Sequence, residues 1–454
     1  MRLRFFHSRL KTAHTIVGDD MQKTIWESTP LPHFASLKED LRTDVLVIGG
    51  GMAGILCARA LTDAGVDCVL VEAGRLCSGV SGRTTAKLTV QHGPVYHKLL
   101  RRFGEEGAEA YLEANRRALR QYRRLCRNLD CGYEERDNYV YSRDDPMVLE
   151  RELEALQRLH ADADFVRSLP LPFPVKGAVR FRRQAQFHPL KFVSGILTGL
   201  KIYECTPVRE LVGMTAVTDY VRIRAEKIIV ATHFPFLNKH GSYFLKLYQQ
   251  RSYVLALEMA ADVRGMYVDA SGSGLSFRNT RDTLLLGGGG HRTGKQGGGF
   301  QELTAFAENY YPTAKEICRW ATQDCVSLDE VPYIGPYSAR TPDLYVATGF
   351  NKWGMTSSMA AAMVLSDLVR GRKNPYAQVF SPSRSMLRSQ LAVNGLESTL
   401  HLLKPTRPRC PHMGCALEWN PQERSWDCPC HGSRFSEEGK LLNNPAAGGV
   451  KRKP

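Results

Sequence analysis

Asp44-Val-Leu-Val-Ile48, Gly49-Gly50-Gly51-Met52-Ala53-Gly54, Ile55 to Ala64 and Cys68-Val-Leu-Val-Glu72 form the stretch whose reading decides the fold. A short apolar run, a glycine turn, an Ala/Leu-rich helical pattern and a second apolar run predict one βαβ unit. Gly49 lets the strand turn sharply into the helix, Gly51 lets the backbone approach a pyrophosphate, and Gly54 lets helix pack closely on strand. The unpaired N–H groups and positive dipole end of that helix would face the phosphates. Glu72 ends the second strand, eighteen residues beyond Gly54. A carboxylate there can accept hydrogen bonds from both ribose hydroxyls. An ordinary glycine turn in an α/β sheet would carry the glycines, but it does not require strand, helix, strand and terminal acid in register.

Outward from this unit, 454 residues are enough for two or three domains, each with its own core. With 43% hydrophobic and 24% charged residues, the composition is that of an ordinary soluble globular protein. The longest apolar run, from Val45, is broken by glycines and Arg59, which excludes a membrane span. The net charge of +15 sits in scattered pairs, Arg101-Arg102, Arg116-Arg117 and Arg123-Arg124, and in the tail Lys451-Arg452-Lys453. No basic stripe interleaves with aromatics, so nucleic acid is not the expected partner. The charge suits either an acidic electron-carrier protein or a merely solvated surface. Eight of the twelve cysteines are scattered, among them Cys57, Cys68 and Cys318 in apolar segments. They read as buried small hydrophobes in a reducing compartment, hence a cytoplasmic protein. Residues 1–20 are basic but lack a signal-peptide core, and Met21 offers an alternative start that would leave them without a function.

Trp26 to Leu41 is a lead-in without periodicity, and Gly74 to Lys87 is a small-residue loop rich in donors. Tyr96 to Asn128 reads as an amphipathic helix with Leu100, Phe103, Tyr111, Leu119, Tyr122 and Leu125 inward. Further helices are expected over Pro146 to Asp162 and, opened by Phe187-His188-Pro189, along Leu190 to Leu200. Strands are expected at Val208 to Val212, Tyr220 to Arg224, Glu226 to Thr232, Tyr253 to Leu257, Thr283 to Leu286 and Leu344 to Gly349, with a helix over Thr356 to Val369.

From about residue 40 to 375 the chain resembles the D-amino-acid-oxidase-like family of flavin oxidoreductases, which includes glycine and sarcosine oxidases. The matching residues are the glycine unit with Glu72, the loop Ser81-Gly82-Arg83-Thr84 and the strand end Ile229-Val-Ala-Thr232. Asp329-Glu-Val-Pro332-Tyr-Ile-Gly335 and Ala347-Thr-Gly349-Phe…Gly354-Met355-Thr356 complete them. The resemblance implies an α/β fold with an α+β substrate part: a Rossmann-like FAD-binding domain and an antiparallel-sheet substrate domain within residues 41–380. FAD-binding parts would fall at about 41–95, 190–235 and 330–375, after a lead-in over 1–40. It also implies that FAD meets Gly49, Gly51, Met52, Ala53, Gly54, Glu72, Ala73, Arg75, Ser81, Arg83, Thr84, Thr85, Val208, Thr232, Gly349, Gly354, Met355 and Thr356. The N–H groups opening the helix at Gly354 would stabilise negative charge on the reduced flavin. An NAD(P) protein is the competing reading, against which the second, C-terminal glycine turn speaks.

The last four cysteines crowd into Cys410-Pro-His412-Met-Gly-Cys415 and Cys428-Pro-Cys430-His431-Gly-Ser433. One Cys-x-His and one Cys-x-x-His pair supply two thiolates and two imidazoles, suited to an iron–sulfur cluster or a zinc ion. The pattern resembles the Rieske [2Fe–2S] domain of the cytochrome bc type. That implies Cys410 and Cys428 on one iron, His412 and His431 on the other, and a disulfide from Cys415 to Cys430. Ser433 could then hydrogen-bond cluster sulfur. Only a short stretch, with the helical-looking Leu396 to Leu403, precedes the first ligand loop. The expected layout is a linker helix over 381–409 and a small module over 410–454, docked on the flavin domain for shelter.

No Ser/His/Asp or paired-carboxylate arrangement stands out, and flavin oxidation of amines needs none. His291, His233, Lys87 and Arg278 are candidates for lining the site, each equally open to a structural role. Related amino-acid oxidases place a carboxylate-clamping arginine shortly before the segment matching Asp329-x-x-Pro332. Counting back puts Asp324 there, which points away from an amino acid and toward an amine. The expected activity is oxidation of a small organic substrate, with electrons leaving flavin through the cluster. A redox sensor with a structural cluster, or a reductase fed by a reduced carrier, are the rivals. Turnover separates the first rival, and an obligate need for reduced carrier marks the second.

Overall fold

The computed structural model describes residues 23–237, 240–271, 274–405 and 408–450. The basic opening, Met21 and the tail Lys451-Arg452-Lys453 lie outside the described residues. The βαβ unit forms as expected, from strand Leu41–Ile48, helix Met52–Asp63 and strand Cys68–Val71. These strands sit inside a sheet that runs Leu344–Thr348, Arg222–Val230, Leu41–Ile48, Cys68–Val71, Lys201–Tyr203, all parallel. Tyr333–Pro336 adds an antiparallel edge. Parallel strands covered on both faces must be apolar throughout, and Val45 to Ile48 and Cys68 to Val71 are all buried. Helices Met52–Asp63 and Gly354–Val369 pack together over one face. At Gly54 a Cβ would stand 1.9 Å from the Gly49 carbonyl oxygen, so only glycine permits this turn. The carboxyl ends of the strands open a crevice, as parallel sheets do.

A second sheet holds Lys315–Ser327, Leu247–Glu258, Thr283–Arg292, Ser276–Thr280, Met266–Asp269, Glu134–Ser142, Gly177–Gln186 and Lys87–Leu88 in that order. It is antiparallel except where Met266–Asp269 lies along Glu134–Ser142. The strands expected at Tyr253 to Leu257 and Thr283 to Leu286 are parts of longer ones, and Gly287 to Gly290 continue the second rather than end it.

Helices depart from expectation where the backbone overrides periodicity. In Tyr96–Cys126, Gly104 is non-helical and breaks the 3.6-residue register. The first turns therefore bury Tyr96 and Leu99, while Leu100 and Phe103 are only partly covered. The helix at Pro189 stops at Ile196, because Lys201–Tyr203 is drawn into the parallel sheet. The lead-in is packed, not loose: Trp26 is fully buried and its indole N–H donates to the Thr84 carbonyl at 2.8 Å.

Helix Ser389–Leu403 precedes the cysteine–histidine loops. After the first loop come four short antiparallel strands, Glu418–Asn420, Ser425–Asp427, Arg434–Ser436 and Leu441–Asn443, with a small core of Leu417, Phe435 and the cysteines. Of the free cysteines outside that tail, Cys205 is exposed and Cys318 half-buried, and the others are buried. No described helix is long and apolar enough to cross a membrane.

Candidate functional site

A cavity of about 520 Å³ runs along the crevice of the parallel sheet and under the second sheet. Its walls include Gly49, Gly51, Met52, Ala53, Glu72, Ala73, Arg75, Ser81, Arg83, Thr84, Thr85, Val208, Thr232, Gly354 and Met355. Of the residues expected to hold cofactor, Gly54, Gly349 and Thr356 stand behind this wall. Thr356 instead donates its hydroxyl to the Thr89 carbonyl at 3.0 Å and accepts the Thr89 N–H at 3.2 Å. Both Glu72 oxygens face the turn, accepting N–H groups of Gly50 at 2.6 Å and Gly74 at 2.8 Å. Burial raises the Glu72 carboxyl pKa and those N–H groups pull it down. Arg75 is ion-paired to the buried Glu204.

Lys87, Asp324 and His233 line the same cavity; His291 and Arg278 do not. Lys87 is buried, donates to the Tyr267 carbonyl at 2.8 Å and to the Ser276 hydroxyl, and burial holds its pKa well below the usual lysine value. Burial raises the Asp324 carboxyl, against the pull of Lys352 and Arg251. His291 shares a hydrogen bond with the Tyr253 hydroxyl at 2.9 Å, and that hydroxyl also donates to Glu423 of the tail. The expected cavity position of His291 is therefore corrected: Gly287 to Gly290 stay in strand and carry it past the cavity to the tail junction. Arg278 is fully buried behind Lys87, over the Trp26 ring. Asp329, two hydrogen bonds from Arg384 at 2.7 Å each, anchors the linker to the flavin domain.

In the tail, a disulfide joins Cys415 to Cys430. Cys410 and Cys428 are buried beside each other, their thiols hydrogen-bonded, which pulls the Cys410 pKa down and pushes that of Cys428 up. The His412 and His431 rings lie 4.9 Å apart, centre to centre, at 87°. Burial lowers their pKa values to about 4 and about 3, keeping both imidazoles in the neutral, metal-binding form. Apart from a weak approach by the Phe244 backbone, the buried ring nitrogens of His431 make no hydrogen bond. The three tail cysteines Cys415, Cys428 and Cys430 are also close enough to share an ion, but two of them are spent in the disulfide. A buried thiol pair and a pair of neutral imidazoles on the same two loops fit a mixed-ligand cluster.

The tail is seated on the second sheet through residues the sequence did not single out. Gln249 donates to the His431 carbonyl at 2.8 Å and the Asn444 carbonyl at 3.0 Å. Gln323 donates to the Gly432 carbonyl at 2.8 Å and to Gln249 at 2.7 Å. A Cβ on Gly432 would come within 2.6 Å of Gln249, so the close approach requires glycine there. Buried Glu423 pairs with Arg251 and, at 3.0 Å, with Arg434. No sequence signal marks these contacts, because the partners are more than 100 residues apart in the chain.

This is the arrangement of a flavin oxidoreductase with an iron–sulfur module built onto its cofactor crevice. The profile of the FAD dependent oxidoreductase family matches residues 44–368 and that of the Rieske [2Fe-2S] domain matches residues 386–454. The chain belongs to the FAD dependent oxidoreductase family and carries a C-terminal Rieske domain; the first binds FAD and the second a [2Fe–2S] cluster. It is 34% identical to the putative Rieske 2Fe-2S iron-sulfur protein YhfW of Bacillus subtilis (strain 168), over 93% of this chain and 96% of that protein. It is 24% identical to gamma-glutamylputrescine oxidoreductase of Escherichia coli (strain K12), over 74% of this chain and 86% of that one. Among solved structures, glycine oxidase from Geobacillus kaustophilus shares the fold at a TM-score of 0.64 and 18% identity, covering 76% of this chain and all of that one.

Glu72→Ala is expected to weaken FAD binding roughly 10- to 100-fold, by removing the charged acceptor at the ribose end. A fluorescence titration of flavin-stripped protein, with circular dichroism to check the fold, reads this. Unchanged affinity would remove Glu72 from the site.

Proposed function

We propose that this enzyme oxidises a small amine and hands the electrons, through the tail cluster, to an external one-electron acceptor. The observation that carries this reading is the seat of the cluster loop against the flavin cavity. His233 lines the cavity, and Gln249 interacts with His233 while holding the carbonyl of the ligand residue His431. When bound, FAD takes two electrons from a C–H bond, and a [2Fe–2S] cluster passes electrons one at a time. The amine loses a hydride and a proton to become an imine, and two acceptor molecules are each reduced once.

Asp324 supports an amine as substrate. Its carboxylate stands in a poorly solvated wall, where it pairs with an ammonium and repels a substrate carboxylate. The gamma-glutamylputrescine oxidoreductase relative acts on an amine by its name, in line with this choice. Lys87, whose pKa burial lowers, belongs to the same wall and donates to Ser276.

The exit is proposed at His412, which is only half-buried, beside exposed Met413. Val393, Leu396, Leu400 and Leu403 present an exposed apolar face on the adjoining helix. Arg409 ties that helix to the ligand loop, donating to the carbonyls of Leu402 and Gly414. An acidic electron carrier matches the net charge of +15, and its docking weakens with salt. A reducing cytoplasm suits the free cysteines.

A panel of amines and amino acids, tested by anaerobic bleaching of the flavin, decides the substrate class. Simple amines are expected to bleach wild type, and Asp324→Asn to lose about tenfold or more in rate for them. Bleaching by simple amino acids in preference would overturn the amine assignment.

A further inference from the structure

The cavity that receives FAD is not closed by the flavin domain alone. Leu441, Leu442, Asn443, Asn444, Ala446 and Ala447 of the tail all line it. Two hydrogen bonds pin this segment to the carboxyl end of a parallel strand. The Asn444 amide donates to the Thr232 carbonyl at 2.7 Å and to the Phe234 carbonyl at 2.9 Å. Farther along, Arg209 donates to the Ala447 carbonyl at 3.0 Å, beside Val208 and Glu72 at the ribose end of the crevice. The segment's other side belongs to the cluster fold: the Ala446 N–H donates to the Ser433 hydroxyl at 3.0 Å, and Ser433 hydrogen-bonds the Cys410 thiol.

We infer that residues 441–447 of the iron–sulfur module form a wall of the FAD site and hold the dinucleotide in its crevice. The argument is geometric. A dinucleotide lying from Glu72 and Val208 to Gly354 and Met355 would share its cavity with Asn444 and Ala446, because all of these residues bound one continuous space. Asn444 satisfies the Thr232 carbonyl and adds a second donor to the Phe234 carbonyl, which also accepts from the Thr232 hydroxyl at 3.1 Å. Because the same segment rests on Ser433 through Ala446, flavin retention and cluster assembly share one structural element. Binding at either site then stabilises the other, and the effect is reciprocal. The inference rests on the assignment of this crevice to FAD.

Two measurements test it on the full chain. The first is the rate of FAD release after dilution, followed by recovery of flavin fluorescence, with iron and labile sulfide measured on the same samples. Asn444→Ala is expected to release FAD about tenfold faster than wild type while keeping its iron. Trp419→Ser, on the exposed side of the module, is expected to release it at the wild-type rate. The second is amide hydrogen exchange of flavin-stripped wild-type protein before and after adding FAD. It needs no variant, and exchange over 441–447 is expected to slow at least about tenfold, that over 418–420 to stay the same. Release by Asn444→Ala within twofold of wild type, or exchange over 441–447 indifferent to FAD, would overturn the inference. Wild-type protein that binds no FAD at all would instead overturn the assignment beneath it.

Discussion

Protein carrying Cys428→Ser is expected to contain no [2Fe–2S] cluster and to deliver electrons to a one-electron acceptor at least about 100-fold more slowly than wild type. Cys428 is fully buried, with its thiol against that of Cys410, so serine leaves one iron without half of its thiolate set. Iron and labile sulfide should fall together, and electron paramagnetic resonance should lose the low average g value of histidine-ligated clusters. With FAD supplied in excess, substrate should still bleach the flavin. In wild type, two neutral imidazoles in place of thiolates lower the negative charge on the site. The cluster potential is therefore expected between about −150 and +300 mV, well above that of an all-cysteine ferredoxin. Stoichiometric zinc without iron in anaerobically prepared wild type would contradict the ligand assignment.

Glu423→Ala is expected to destabilise the seat of the tail by roughly 3–5 kcal/mol, because it leaves the buried guanidiniums of Arg251 and Arg434 without their shared partner. The same carboxylate gives the junction a pH dependence. Its pKa is lowered from 4.5 to about 2 in the folded protein, chiefly by Arg251 and Arg434 acting against burial. A depressed carboxylate contributes stability that is fully present above about pH 4.5 and is lost as the pH falls toward 2; the drop is worth roughly 3 kcal/mol. Limited proteolysis within residues 381–409 reads the undocked population. Wild type should become susceptible in that acid range, and Glu423→Ala already at neutral pH. Equal resistance of both proteins at neutral pH would show that the pair does not hold the tail.

Both predictions draw on different depths of the sequence. The cluster domain was legible because its four candidate ligands lie within 22 residues, on two loops whose spacing carries the chemistry. The crevice was legible for the same local reason: Gly49, Gly54 and Glu72 belong to one βαβ unit, and the unit forms at those residues. What joins the two was not legible. Gln249, Arg251 and Gln323 sit on strands far from Glu423 and His431 in the chain, and no periodicity announces which polar side chain will meet which loop. Strand Lys315–Ser327 escaped notice because Lys315, Glu316, Arg319, Gln323 and Asp324 break its apolar alternation. Its inner end nevertheless supplies Asp324 to the cavity, a position reached by counting from Asp329 and not from any strand signal. His291 misled for another reason: the strand runs on through the glycines before it, with an irregularity opposite Arg251–Tyr253 and Gly289 at φ +60°, and brings its ring to Tyr253.

The most direct test of the electron route needs no knowledge of the substrate. The flavin of anaerobic, fully loaded wild type is reduced by a brief light pulse with a sacrificial donor, and samples are frozen at intervals for paramagnetic resonance. The account predicts that the reduced-cluster signal grows as the flavin reoxidises, at matching rates, and that a substoichiometric one-electron acceptor then discharges it. Flavin that stays reduced beside an oxidised cluster, with the acceptor drawing its electrons at the same rate in wild type and Cys428→Ser, would contradict it.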